Sequence, residues 1–77
     1  MKFYFHVRDI DGYEKDLEGV DLPSLSIALD EARQAAREMV AELVLQHEKV
    51  DDRMFEIAND EVDVVGTVAF KDVIGLD

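Results

Sequence analysis

Nineteen aspartates and glutamates against eight lysines and arginines make carboxylate chemistry the first to test in this 77-residue chain. The densest candidate is Asp9-Ile10-Asp11-Gly12 followed by Glu18. With Val7 as loop position 1, Asp9, Asp11, Gly12 and Glu18 occupy positions 3, 5, 6 and 12 of an EF-hand calcium loop. Position 1 is then a valine and position 8 is Glu14, and the residues before the loop alternate with a strand period. The segment therefore reads as an acidic hairpin turn in which Asp9 and Asp11 bond local backbone N–H groups. Asp9, Asp11 and Glu18 are the weak metal candidates of the chain, and no cofactor is implied.

The two histidines, His6 and His47, would have to be recruited from a strand and a helix end, with Asp9 or Glu48 as a third ligand. Nothing in their spacing requires it. His6 is expected on the polar face of the first strand, and His47 near the last carbonyls of the helix. Ser24, Ser26 and Thr67 are the only non-phenolic hydroxyls, and none lies in a nucleophile elbow. The four glycines form no phosphate-cradling loop. The sequence favours a protein that is not an enzyme.

Positioning these residues falls to one periodic helix flanked by alternating segments. Ser24–His47 wound at about 100° per residue puts Leu25, Leu29, Ala32, Ala36, Met39, Val40 and Leu43 on one stripe, bordered by Ala28 and Ala35. Asp30, Arg33, Gln34, Arg37 and Glu38 fall opposite, on a solvated face. Pro23 keeps Leu22 out of the helix, and Ser24 accepts from the free N–H groups of the first turn. No glycine closes the other end.

Lys2–Arg8 alternates, with Phe3, Phe5 and Val7 inward and Lys2, Tyr4, His6 and Arg8 outward. Asp11-Gly12 predicts a reversal into a short acidic edge strand over Tyr13–Val20. After the helix, Arg53–Ala58 alternates around Phe55 and Ile57, and Asn59-Asp60-Glu61 turns the chain into Val62–Phe70. There Val62, Val64, Gly66, Val68 and Phe70 share the core face and Val65 and Ala69 put apolar groups on the other, so this strand is expected to be central or covered on both sides. The tail, KDVIGLD, is a helical turn or an extension of the strand. One α+β domain over residues 1–77 follows: ββαββ, a small antiparallel sheet with one long helix packed on one face.

An aromatic strand with Tyr4-Phe5, then Arg8-Asp9-x-Asp11-Gly12, Asp16 with Gly19, Leu22-Pro23, an alanine-rich helix, and Phe55-Glu56-Ile57 before a valine-rich strand carry a resemblance. Together they resemble a family of short ββαββ proteins of unknown function, found mainly in rhizobia and related alphaproteobacteria. The resemblance spans nearly the whole chain and implies that fold in a soluble bacterial protein. It carries over no catalytic or binding residue. Members commonly place an acidic residue where this chain has Ser24, and small or charged residues where it has Ile27 and Leu45.

Charge and composition narrow the partners. A net charge of −11 repels phosphate backbones and anionic lipid, so nucleic acid and membrane partners are disfavoured. Mimicry of nucleic acid would rest on charge alone. The lack of cysteine removes disulfides, thiolate chemistry and sulfur-ligated metals; separately, Lys2 and Arg8 interrupt any apolar leader, so a cytoplasmic location is the expectation. Apolar residues exceed what one helix on one sheet face can bury: Tyr4, Ile27, Val44, Leu45, Val65 and Ala69 are left for an interface. A small acidic protein-interaction module, self-associating as a homodimer, is the expected function. A small-ligand or enzymatic domain with its site assembled between subunits is the alternative.

The helix assignment is tested by a pair of substitutions. Ala36→Asp buries a lone carboxylate, costing several kcal/mol and abolishing the thermal unfolding transition, whereas Gln34→Asp shifts Tm by no more than a degree or so. Equal tolerance at both positions would mean the stripe faces the wrong way.

Overall fold

A computed structural model describes residues 1–50 and 52–74 of the chain. In order the elements are β1 (Lys2–Asp9), β2 (Gly12–Glu14), β3 (Val20–Asp21), α1 (Leu25–Leu45), β4 (Met54–Ala58), β5 (Val64–Ala69) and α2 (Phe70–Ile74). The sheet is antiparallel in the order β2-β1-β4-β5, with β3 paired to the start of β1, so the valine-rich last strand is an edge strand and not the central or doubly covered one its apolar residues suggested. This is the expected α+β fold, one long helix against one face of a small sheet.

Register fixes which residues share a face. Phe5, Ile57 and Gly66 form one row toward α1, and Val7, Phe55 and Val68 the next. The core gathers Phe3, Phe55, Ile57, Val68 and Phe70 beneath the helix, with Phe55 edged against both Phe5 and Phe70. Fully burying each of these side chains contributes about 1.5–3 kcal/mol. The helix presents Ala28, Ala32 and Ala36 at its centre, so Ala28 belongs to the middle of the stripe and not to its border. Small side chains there let α1 approach β4 and β5 closely. Gly66 completes the fit, since a Cβ on it would stand 3.0 Å from Leu29 Cδ2.

Three boundaries differ from the sequence reading. The return strand predicted over Tyr13–Val20 is split into β2 and β3, and Phe3 faces Val20 where an unbroken hairpin would give it Glu18. The last strand starts at Val64 and ends at Ala69, and the tail is helical through Ile74; residues 75–77 lie outside the described residues. Between Ile57 and Ala58 the β4–β5 register shifts, so Ile57 pairs Gly66 while Ala58 pairs Val64. Val65 is thus the extra residue of a bulge. Bulging moves Val64 to the outer face and packs Val65 against the core, the reverse of the alternation expected for them. Val62 is exposed in the preceding turn, at φ +67°. Asn59 builds that turn: its Oδ1 accepts from Glu61 N at 2.9 Å and Asp63 N at 3.0 Å.

The ends of α1 follow capping rules. Ser24, with an extended backbone, accepts from Ile27 N at 3.2 Å. At the other end Glu48 N donates to Leu43 O at 2.8 Å and His47 N to Val44 O at 3.1 Å, the paired bonds of a Schellman close. That geometry demands a left-handed residue, and His47 adopts it at φ +60°. Glycine takes this conformation without the Cβ clash that histidine bears. His47→Gly is therefore expected to raise the unfolding free energy by about 0.5–1 kcal/mol, net of glycine's larger unfolded-state entropy. Urea denaturation measures the change; a loss of stability would show that the imidazole makes a compensating contact.

Candidate functional site

The outer face of the sheet, away from α1, carries three rows: Tyr4, Ala58 and Val64; His6, Glu56 and Thr67; and Arg8, Met54 and Ala69. Each row ends at β5. Arg8 bonds Glu56 at 2.6 Å through Nε and lies 4.5 Å over the Tyr13 ring, so the third row is closed by an ion pair and a cation–π contact.

His6 departs from the sequence reading. It points to the outer face as expected, yet only 4% of it is exposed. The residues between β2 and β3 fold over it. Asp16 N–H donates to His6 Nδ1 at 2.9 Å, so Nδ1 carries no proton and the neutral ring holds its hydrogen on Nε2. The Asp16 carboxylate is the hub of the same loop. Its Oδ2 accepts from Phe5 N at 3.0 Å, taking the place that a paired strand would fill, and its Oδ1 accepts from Glu18 N at 3.1 Å and Gly19 N at 3.2 Å. Burial alone would push this carboxyl up. The Phe5, Gly19 and Glu18 donors outweigh burial and hold it below its ordinary value. Gly19 lets the loop return at φ +70°, where a Cβ would stand 2.8 Å from the Tyr4 ring. The reversal at Asp11-Gly12 is made without a positive φ at Gly12.

Beside this hub lies a hollow of about 180 Å3 whose lining joins the apolar Tyr4, Leu17, Ala58 and Val62 to the polar His6, Lys15, Asp16, Asn59 and Asp60. Leu17 is 82% exposed and Val62 74% exposed. Together with Val64 they extend the first row into an apolar strip that crosses the outer face. Sequence alternation missed this strip because Leu17 belongs to a loop and Val64 reaches the outer face only through the bulge. A second, open trough of about 490 Å3 runs along the helix side between Met39, Val7 and Glu14. Its polar pair, Arg53 and Asp9, stand 3.6 Å apart and are engaged with each other.

The other sequence candidates are scattered. Asp9 accepts from Asp11 N at 2.8 Å as the turn chemistry requires, while Glu18 sits by the opposite end of β1, roughly 15 Å of strand away at about 3.3 Å per residue. Asp9, Asp11 and Glu18 are not brought together, and among the described residues no cluster of three or more His, Asp or Glu side chains could hold a metal ion. Ile27, Val44 and Leu45 are exposed on α1, and Tyr4 and Ala69 lie half-buried on the outer face. Val65, expected beside them, packs inward instead.

A family model, Domain of unknown function (DUF6894), matches residues 2–71. The chain belongs to the DUF6894 family. No curated protein and no solved structure matches it. In this DUF6894 domain, no helix among the described residues is long and apolar enough to cross a membrane.

The Asp16 hub generates a test with a defined sign. A carboxyl held below its ordinary value stabilises the fold above about pH 4, and that contribution is lost as pH falls through its lower folded value. Asp16→Ala is expected to cost about 2–3 kcal/mol at neutral pH, chiefly by stranding the Phe5 N–H. Its acid unfolding curve should also be shallower than that of the parent below pH 4. Unchanged hydrogen exchange at Phe5 in this variant would remove Asp16 from its place at the centre of the loop.

Proposed function

We propose that this domain is a small acidic protein-interaction module that self-associates. The observation that supports it is the set of exposed apolar side chains, Leu17, Val62 and Val64 beside the half-buried Tyr4, on the sheet face that no helix covers. Exposed apolar side chains scattered singly are ordinary, but a strip spanning a face and rimmed by charge marks a surface that meets another macromolecule. Net charge of −11 biases the choice of partner toward neutral or basic protein surfaces and away from nucleic acid. We further propose a bacterial, cytoplasmic context, which rests on the resemblance to rhizobial and related proteins.

The alternative, a small-ligand or enzymatic site completed between subunits, has the His6 hollow as its best location. At about 180 Å3 that hollow is smaller than the roughly 300–1,000 Å3 of small-molecule sites. One apolar side chain from a partner protein suits it better.

Sedimentation equilibrium at tens of micromolar measures the self-association. A species of twice 8.7 kDa is expected. A single species of 8.7 kDa at every concentration would overturn self-association.

A further inference from the structure

We infer that two copies of this chain join edge to edge through β5, antiparallel about a twofold axis at Thr67. This inference rests on the self-association proposed above and places it at the sheet edge where the apolar strip reaches β5 at Val64, not on the open face itself. β5 pairs with β4 on one side, and no described element pairs with it on the other. Its phase can be derived. Phe70 N donates to Arg53 O at 3.0 Å, which makes that pair a hydrogen-bonded one in the register that links Met54 to Ala69. Hydrogen-bonded pairs alternate along an antiparallel ladder. Phe70, Val68 and Gly66 therefore turn their backbone groups toward β4, and Thr67, flanked by Val65 and Ala69, turns its own outward.

Three properties of this edge select a second copy of the chain as its occupant. The strand is Val-Val-Gly-Thr-Val-Ala, six residues without a charge in a chain of net charge −11, so two copies meet here without repulsion. The opposite edge offers Asp11, Glu14, Asp16, Glu18 and Asp21 with Lys15 as its one base, and like edges of that kind repel. Antiparallel pairing centred on Thr67 is also self-complementary. Thr67 of each copy faces Thr67 of the other and exchanges two N–H···O=C bonds, Val65 of each faces Ala69 of the other, and the exposed threonine hydroxyls meet on the outer face. The bulge at Val65 bends only the start of the strand, two residues short of the axis.

The experiment compares the full chain with Thr67→Pro and Thr67→Lys by sedimentation equilibrium, with circular dichroism to verify folding. Proline removes the outward N–H and is tolerated on an edge; lysine sets two like charges opposite each other. Both are expected to weaken dimerisation roughly tenfold or more, and the Thr67 amide of the parent should gain hydrogen-exchange protection as concentration rises. Should Thr67→Pro fail to fold, Thr67→Lys carries the comparison. A parent dimer that persists in the folded variants overturns the β5 edge while leaving self-association standing. A parent that is monomeric throughout overturns both.

Discussion

Three methyl groups set the spacing on which the rest of the molecule depends. Ala28, Ala32 and Ala36 stand one turn apart on α1 with no exposed surface, and they seat the helix directly on β4 and β5. A 21-residue helix held so close to one half of the sheet leaves the other half to different devices. Phe5 and Val7 on β1 are consequently only half-buried, and α2 tucks Phe70 and Val73 in beside the helix to complete the core. Without Gly66 under Leu29, the same approach would force a leucine rotamer to give way. Packing at this density makes the alanines more specific than their size implies.

On the far side of the sheet a single carboxylate takes over the work of a strand. Continuous pairing of residues 13–20 with β1 would have exposed His6 and Tyr4; breaking that pairing lets the 15–19 loop roll over them. The break would strand the Phe5 amide. Asp16 Oδ2 accepts that N–H, while its other oxygen binds the loop's own amides. Charge-assisted bonds of this kind are stronger than the neutral ones they replace, and this explains how so acidic a segment lies flat against the sheet. The imidazole of His6 serves as an acceptor in the same network, a structural use of a residue type more often associated with chemistry.

Much of this was legible in the sequence, for reasons that particular residues make clear. The helix, its Ser24 cap and the inward faces of β1 and β4 follow from periodicity, since burial there is continuous and the pattern has only one solution. Failure begins where a contact spans the chain. Alternation assigned His6 to the polar face correctly but could not show that residues ten positions later would cover it. Val64 and Val65 are both valine, so a register slip between them leaves no trace in the pattern. Helix closure by a left-handed His47 was invisible because the usual signal is a glycine. The Asp16-x-x-Gly19 spacing was present among the features of the family resemblance. Read physically, an aspartate whose oxygen reaches amides two and three residues on is itself a loop-forming device.

The two edges of the sheet have opposite character, and this asymmetry governs how large an assembly can become. On one side a carboxylate fills the gap between β2 and β3 by taking up the Phe5 N–H of β1, and acidic residues line the edge; the other side ends in the uncharged strand β5. A ribbon with a single live end behaves like a polymer unit with one functional group: it couples once and then stops. Growth into fibrils needs two competent edges per unit, so in the proposed pairing the acidic edge around the Asp16 loop would act as a chain terminator.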